Sequence, residues 1–216
     1  MNSTVKTLEL FAGSRSFTKV AQSPKFGFNT YTSDYKPFPN IDQVCNIFDF
    51  NVNDCIKALR GVPDLIWASP PCTYFSVASI GHHWNKDNTP KTEEAKLGVD
   101  IVKKTVKIIK QIQKMNPDCK YIIENPRGKL RKLNLINPEN IYTVTYCQYG
   151  DTRMKPTDIW TNIRWKPRIM CKNGDTCHEA APRGSQTGTQ GLKGNYNRSK
   201  VPYELCNHLL ESYIYA

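Results

Sequence analysis

Seven short apolar runs recur between residues 6 and 162, and turn-forming residues bound each of them. Their β-branched and aromatic side chains favour strands over helices. The predicted strands are KTLELFAG (6–13), FNTYTSDY (28–35), VCNIFDF (44–50), DLIWAS (64–69), KYIIENP (120–126), IYTVTYC (141–147) and TDIWTN (157–162). Together they predict a core built around a sheet.

A helical pattern separates the fourth and fifth of these runs. Thr89 is a suitable N-cap, Pro90 suits the first helical position, and Glu93 and Glu94 follow in the first turn. The apolar positions that recur at helical spacing, and that we expect to face the core, are Leu97, Ile101, Ile108, Ile112 and Met115. A shorter helix is predicted from about Pro202, with Leu205, Leu209 and Ile214 facing inward.

The succession of strand, helix and strand predicts an α/β fold with a mixed, mostly parallel sheet and helices on both faces. After residue 163 this pattern ends, and the chain becomes rich in Gly, Ser, Thr, Asn and basic residues. We therefore predict three parts: a body at 1–162, a small irregular segment at 163–197, and a helical part at 198–216 that returns to the body.

Composition narrows the class of protein. The chain has 216 residues, of which 39% are apolar and 23% charged, as in ordinary globular proteins. No run approaches the ~18 apolar residues of a membrane span, and the amino terminus lacks the features of a secretory signal. We therefore expect a cytoplasmic monomer without a membrane partner. The net charge of +11 favours a nucleic-acid partner, with a merely solvated basic surface as the alternative.

The eight cysteines are scattered and form no CxxC pair, so most of them are expected to be small core residues. Cys171, Cys177 and His178 are the residues most suited to zinc, in a segment that cannot build a core. A fourth ligand would have to come from Cys206 or His208, and the Cys-x5-Cys-His spacing is unlike common zinc modules. The sequence therefore predicts no metal.

Three predicted strands end in residues suited to chemistry. The first leaves through LELFAGSRSF, where a glycine turn into a helix offers backbone N–H groups to a nucleotide-like ligand. A plain turn is the alternative. Asp34 and Asp49 follow the next two strands, and a carboxylate in such a place binds ribose hydroxyls or an amino group in other nucleotide-binding sheets.

The other two strand ends offer a thiol and a carboxyl group. In ASPPCTYFS, Pro70 and Pro71 form a rigid, non-helical platform that presents Cys72. In IIENPRG, Glu124 follows an apolar strand, where partial desolvation favours its protonated form. A structural cysteine and a salt-bridged loop glutamate are the plainer interpretations of these two stretches.

Taken together and in this order, LELFAG, SPPCTYFS and IENPRG resemble the motifs of the DNA cytosine-5 methyltransferases, over about residues 6–162. QYGDTRMKPTDIWTN stands where that family has its Tyr-Gly and Gln-x-Arg-x-Arg segment, and the wording is most similar to small bacteriophage members. The resemblance implies a Rossmann-like S-adenosylmethionine-dependent methyltransferase domain at 1–162, a target-recognition segment at 163–197, and a bacterial host cytoplasm if the gene is a phage's.

The resemblance also implies roles for individual residues. Cys72 would attack C6 of a cytosine flipped out of double-stranded DNA, Glu124 would bind N3 and the amino group, Pro71 would support the base, and Lys155 would supply charge. S-adenosylmethionine would be held by Leu10, Phe11, Ala12, Gly13, Ser14, Ser16, Asp34, Tyr35, Asp49, Phe50, Pro70 and Ser199. DNA would be contacted by Ser76, Asn125, Arg127, Arg153, Thr157, Arg183, Gln190, Lys193 and Arg198.

The chain departs from the family pattern in two places. Arg15 stands where the family has a glycine, so it either points to solvent or binds a carboxylate, such as one on a modified cofactor. Lys155 and Thr157 replace arginines, and lysine lacks the planar arginine fork. A carboxylated cofactor, a free cytosine nucleotide as substrate, and an inactive DNA-binding relative are therefore the alternatives to a methyltransferase that protects phage DNA against restriction.

Overall fold

The computed structural model describes residues 4–77, 80–179 and 194–215. Its strands are β1 (Lys6–Leu10), β2 (Asn29–Asp34), β3 (Gln43–Val44), β4 (Leu65–Ala68), β5 (Lys120–Pro126), β6 (Ile141–Thr145) and β7 (Pro156–Thr161). Its α-helices are α1 (Ser16–Ala21), α2 (Val52–Leu59), α3 (Ile80–His83), α4 (Glu93–Met115), α5 (Asn195–Ser199) and α6 (Tyr203–Ile214). No described helix combines the length and the apolar character needed to cross a bilayer.

The strands form one seven-stranded sheet in the order β3-β2-β1-β4-β5-β7-β6. From β3 to β5 all neighbours are parallel, whereas β7 runs antiparallel to both β5 and β6. The carboxyl ends of the parallel strands therefore meet at one edge of the sheet. Because β7 is reversed, it begins at that same edge.

Two apolar cores cover the two faces of the sheet. On one face α2 and α4 bury Val52, Leu59, Val102, Ile108 and Ile112 against the strands. On the other, α1 and α6 bury Phe17, Val20, Leu205, Leu209 and Leu210. The predicted α/β fold, mostly parallel with helices on both faces, is confirmed.

The third predicted strand is mostly absent. Only Gln43 and Val44 pair with β2, and a 3-10 turn follows at Ile47–Asp49. The side chain of Asn46 accepts a hydrogen bond of 3.1 Å from the backbone N–H of Phe48. Such a local side-chain acceptor stabilises a turn in place of the extended chain.

The predicted start of α4 is wrong, and its buried face is predicted only in part: Ile108 and Ile112 are buried. Thr92, and not Thr89, is its N-cap and accepts a hydrogen bond from the Ala95 N–H, while the Thr89 hydroxyl donates to Asp87. Leu97 and Met115 are 46% and 43% exposed, and the buried face carries Ala95, Gly98 and Thr105 as well as larger side chains. A Cβ added to Gly98 would lie 2.9 Å from the Tyr74 ring, so aromatic side chains of the preceding loop select small residues here.

The C-terminal helix packs on the body, and its buried face differs in part from the predicted one. Leu205, Leu209 and Leu210 are fully buried, whereas Ile214 is 48% exposed. Phe28 and the buried side chains of α1 belong to the same apolar core as these leucines. The proposed boundaries at residues 162 and 197 stay a prediction.

Candidate active site

The Pro-Pro-Cys turn after β4 is held by hydrogen bonds on both sides. The Asn125 side-chain amide donates a bond of 2.8 Å to the carbonyl of Pro70. The backbone N–H groups of Phe75 and Ser76 donate to the carbonyl of Cys72 at 3.0 and 3.1 Å. Cys72 is partly exposed, so the turn presents a fixed thiol at the carboxyl edge of the sheet.

A buried carboxylate lies on the neighbouring strand. Glu124 is 4% exposed, and its Oε1 accepts a hydrogen bond of 2.8 Å from the hydroxyl of Tyr146. The ammonium of Lys155 lies 3.9 Å from the same oxygen and 4.5 Å from the centre of the Tyr146 ring. Glu124 and Lys155 are therefore a pair of opposite charges, and the Tyr146 side chain contacts both: its hydroxyl binds the carboxylate and its ring lies next to the ammonium.

The reversed strand explains how Lys155 reaches this group. Thr157, near the start of β7, pairs with Pro126 at the end of β5. Lys155 has a φ of 27°, an unusual value for a residue with a side chain, and its ammonium also donates to the Arg198 carbonyl at 3.3 Å. The surrounding contacts hold this strained residue with its charge directed at the site.

The electrostatics of the thiol are set by competing effects. Burial raises the pKa of Cys72, the cation of Lys155 opposes this, and the anion of Glu124 adds to it. Burial, together with Glu124, raises the pKa of Tyr146 well above its ordinary value, so this hydroxyl stays a proton donor. Lys155 is therefore the residue on which thiolate formation at Cys72 most depends.

The loop after β1 curls through three residues with positive φ, at Phe11, Gly13 and Arg15. The Gly13 N–H donates to Oδ2 of Asp34 at 2.9 Å, and the Lys36 N–H donates to Oδ1 at 3.0 Å. Gly13 has a φ of 41°, which favours glycine, and a Cβ there would lie 3.7 Å from the Asp34 carboxylate. The loop is thus joined to the end of β2.

The residues around this loop fit the adenosine part of S-adenosylmethionine. Each oxygen of Asp34 has a second lone pair that can accept from a ribose hydroxyl. Tyr35 and Phe48 expose 61% and 41% of their surface beside Asp34 and Asp49, and exposed rings of this kind can stack on a purine. Asp49 is exposed and can accept from an adenine amino group.

Glu9 is a buried residue that the sequence did not single out. Its carboxylate accepts hydrogen bonds from the N–H groups of Phe17 and Thr18 at 3.4 and 2.9 Å, at the start of α1. Burial raises its pKa to about 7. The available signal was a single acid inside an apolar strand.

Arg15 lies along α1 instead of pointing away into solvent. Its guanidinium donates to the side chain of Gln22 at 3.2 Å. Ser14 and Ser16 share a hydrogen bond of 2.7 Å, and Ser16 accepts from the Val201 N–H. The loop is therefore tied to the chain that follows α5.

The remaining predicted cofactor residues differ in exposure. Leu10, Ala12 and Phe50 are buried, whereas Pro70 is part of the Pro-Pro-Cys turn. Ser199 is exposed, and its hydroxyl donates to the Tyr196 carbonyl at 2.9 Å. Cofactor contact by these residues stays a prediction.

Three residues predicted to contact DNA make hydrogen bonds within the protein. Asn125 donates to the carbonyl of Pro70, and Thr157 is fully buried with its hydroxyl donating to the Lys155 carbonyl at 3.0 Å. Arg153 is 5% exposed and forms an ion pair with Asp151 while donating to the Arg198 carbonyl. DNA contact by these three residues stays a prediction.

Of the other residues predicted to contact DNA, three are exposed or partly exposed and three lie outside the described residues. Arg127 is exposed, and Ser76 and Arg198 are partly exposed. Arg183, Gln190 and Lys193 fall outside the described residues. DNA contact by all six stays a prediction.

The three residues considered for zinc come together with a fourth that the sequence analysis missed. Cys147, in the 3-10 turn after β6, lies within the same group as Cys171, Cys177 and His178. The previously considered ligands lie elsewhere: Cys206 is fully buried in the core, and His208 contacts Trp165. The sequence did not indicate Cys147 as a fourth ligand, because only the fold of β6 and β7 brings it near residue 171.

No protein-family model matches the chain. The chain is 28% identical to a "Probable DNA (cytosine-5)-methyltransferase" of Frog virus 3 (isolate Goorha) over 224 aligned residues, covering 96% of this chain and 99% of the relative. A solved Entamoeba histolytica methyltransferase, EhMeth, superposes with a TM-score of 0.50 at 14% identity, over 78% of this chain. The chain spans 56% of that structure.

These findings confirm two predictions from the sequence. The viral relative supports the resemblance to the DNA cytosine-5 methyltransferases and the assignment of the chain as a methyltransferase enzyme. The structural likeness supports the fold alone.

Proposed function

We propose that this methyltransferase transfers a methyl group from S-adenosylmethionine to C5 of a cytosine that is flipped out of double-stranded DNA. The observation that carries the proposal is the grouping of Cys72 with Glu124 and Lys155, at the ends of β4 and β5 and the start of β7. A nucleophile, a carboxyl group and a cation are the groups that this reaction requires.

The first step forms a bond between the Cys72 sulfur and C6 of the base. Glu124 forms hydrogen bonds with N3 and the amino group of the base, which makes C6 more electrophilic. The Cys72 thiolate then attacks C6, and the displaced electron pair becomes available at C5. Lys155, 3.9 Å from Glu124, favours the thiolate that this step consumes.

The later steps restore the thiolate and the aromatic base. S-adenosylmethionine would supply a methyl group as an electrophile at C5, with S-adenosylhomocysteine as the leaving group. The C5 proton then leaves to a base, and the C6–S bond breaks as the C5–C6 double bond re-forms. Cys72 leaves as the thiolate, so that each turnover returns it to its starting state. The rigid turn keeps the sulfur at one position through these steps.

The chemistry of the surface supports DNA as the substrate. A net charge of +11 exceeds what a single nucleotide requires, whereas a polyanion can engage a broad basic surface. Arg127 is exposed directly after β5, within reach of the same edge of the sheet as the catalytic group. The proposed role is the modification of a viral genome against restriction, as the resemblance to phage enzymes implies.

Nucleoside mass spectrometry tests the reaction. The purified protein is incubated with S-adenosylmethionine and mixed-sequence duplex DNA, and the DNA is digested to nucleosides. We expect cytosine heavier by one methyl group from the wild type and from Cys45→Ser, and none from Cys72→Ala. Product from Cys72→Ala at the wild-type rate would overturn the nucleophile, and a different mass increment would identify another transferred group.

Covalent trapping tests the intermediate. DNA that contains 5-fluorocytosine lacks the C5 proton whose loss allows Cys72 to leave, so the enzyme should stay attached after methyl transfer. We expect an adduct that survives denaturation and requires both the cofactor and Cys72. Methylated product without such an adduct would contradict the covalent route while leaving methyl transfer intact.

A further inference from the structure

A second group of reactive side chains lies outside the proposed active site. The thiols of Cys147, Cys171 and Cys177 and the imidazole of His178, which we call the cysteine–histidine cluster, have their ligand atoms within 4.8 Å of one another. No step of the proposed reaction uses them. Three thiols that converge with an imidazole are uncommon without a bound metal ion.

Three of four distances between ligand atoms of the cluster match the edges of a tetrahedron around zinc. A Zn–S bond of about 2.3 Å and a Zn–N bond of about 2.0 Å require separations of about 3.8 Å between sulfurs and about 3.5 Å between sulfur and nitrogen. The Cys177–Cys147 sulfurs are 3.7 Å apart, and Nδ1 of His178 lies 3.7 and 3.5 Å from the sulfurs of Cys171 and Cys177. The Cys147–Cys171 separation of 3.1 Å is shorter.

The local backbone brings the ligands together. Between Cys171 and Cys177 the chain reverses through a turn in which the Lys172 N–H donates to the Asp175 carboxylate at 2.7 Å and Gly174 has a φ of 95°. The side-chain amide of Gln148 donates to the sulfur of Cys177 at 3.4 Å. Donation of N–H groups to sulfur favours thiolates and is typical of the surroundings of a metal.

We propose that the cysteine–histidine cluster binds one Zn²⁺ ion through three thiolates and the Nδ1 atom of His178. Thiolate and imidazole ligands in a closed group of four select zinc for a structural purpose. On binding, the three thiols release their protons to solvent, and the two positive charges of zinc against three thiolates leave a net charge of −1.

The proposed ion joins the irregular segment to the catalytic body. Residues 166–179 contain few apolar side chains, and Ile169 is 89% exposed, so burial alone contributes little to their order. Cys147 follows Tyr146, whose hydroxyl contacts Glu124. A metal bound by Cys147 therefore fixes the segment next to the residue that holds the catalytic carboxylate.

Metal analysis of the purified chain tests the proposal. We expect about one zinc ion per chain by inductively coupled plasma mass spectrometry after zinc-replete expression and extensive dialysis. Cys177→Ser and His178→Ala should lower the zinc content at least about tenfold, because each removes one of four ligands. Cys45→Ser is the matched control, since Cys45 lies outside the cluster, and it should keep the wild-type content.

Two further measurements separate metal binding from folding. His178→Cys should retain zinc, because four thiolates form an equally closed site. Co²⁺ substituted into the wild type should give the visible absorption bands of tetrahedral cobalt thiolate, and Cys177→Ser should lose them while its circular dichroism stays unchanged. A wild type without zinc, equal zinc in Cys177→Ser and Cys45→Ser, or a Cys147–Cys171 disulfide in the intact mass would each overturn the proposal.

Discussion

The hydroxyl of Tyr146 donates a hydrogen bond of 2.8 Å to the carboxylate of Glu124, and both side chains are buried. Tyr146 comes from the turn after β6, whereas Glu124 lies on β5, with β7 between these two strands in the sheet. The bond fixes the carboxyl group on one side and leaves its remaining lone pairs for Lys155 and for a base. Tyr146 therefore positions Glu124.

The Tyr146→Phe variant tests this positioning. Loss of one donor to a buried charged group costs about 1–3 kcal/mol, which corresponds to about a 5- to 150-fold fall in kcat/KM for DNA methylation. Tyr142→Phe, at a tyrosine that packs on Trp165 with ring centres 5.5 Å apart, should keep the wild-type rate. Equal kcat/KM for Tyr146→Phe and the wild type would show that the bond plays no part in catalysis.

The Lys155→Met variant should move the titration of Cys72 to higher pH. The cation of Lys155 lowers the pKa of this thiol against the effect of burial, so its removal makes the thiolate harder to form. Alkylation by iodoacetamide, followed at the Cys72 peptide by mass spectrometry, gives the pH of half-maximal rate. Methylation by the variant should show its rising limb at correspondingly higher pH.

An exposed lysine supplies the control for that shift. Lys96→Met removes a charge from the surface of α4, where the ammonium pairs with Glu93, and should leave the Cys72 titration unchanged. A midpoint for Lys155→Met that stays in place or moves to lower pH would refute the assigned electrostatic role.

The Gly128→Ala variant should displace the catalytic turn. A Cβ at this position would lie 2.3 Å from the carbonyl oxygen of Phe75, which belongs to the turn that follows Cys72. Something in the backbone must move, and a shift of about 1 Å in a catalytic group can cost about 100-fold in rate. Gly81→Ala is the control, because nothing lies within 4 Å of its added Cβ. A Gly128→Ala enzyme as active as Gly81→Ala would contradict this geometry.

Glu9 makes the stability of the fold dependent on pH. Its pKa of about 7 in the folded protein lies above the ordinary value of 4.5, so the folded state holds this proton more tightly than the unfolded chain. The stabilisation is complete below about pH 4.5 and is lost as the pH rises through about 7. The free energy of unfolding should therefore fall by up to about 3 kcal/mol over that range from this group.

The Glu9→Gln variant should flatten this part of the pH profile. The amide oxygen can still accept from the Thr18 N–H, and the side chain no longer has to ionise when buried. Urea denaturation at pH 5 and pH 8 measures the difference. Glu93→Gln, at an exposed position on α4, should keep the wild-type profile, and a profile for Glu9→Gln that matches it would exclude Glu9 as the cause.

The sequence was sufficient for most strands because their signals are local. KYIIENP predicts β5 with its observed bounds, since an apolar, β-branched run there ends at a proline. The prediction of the third strand was wrong because the side chain of Asn46 stabilises a turn, and the pattern of apolar residues does not indicate such a turn. The buried face of α4 was predicted only in part because Tyr74 and Phe75 fill the space beside Gly98. This contact joins distant parts of the sequence.

The site shows the same division between local and distant signals. Cys72 lies in the turn after β4 and Glu124 near the end of β5, so their placement at one edge of the sheet was predictable from motifs, whereas their chemical roles remain proposals. The positions of Tyr146 and Cys147 next to these sites were not predictable, because they depend on the pairing of β6 with β7. The ion pair of Arg153 with Asp151 was likewise not visible from the sequence, and DNA contact by Arg153 stays a prediction.

The reversed direction of β7 has a consequence for assembly and local opening. β6 and β7 are close in sequence and pair with each other, whereas β7 must also pair with β5 across the sheet. We expect these two strands to form a hairpin first and to dock as a unit, which brings Lys155 to Glu124 in the last step. A partial opening that releases the hairpin, visible as faster amide exchange in β6 and β7 than in β1 and β4, would switch off the chemistry while the parallel strands stay folded.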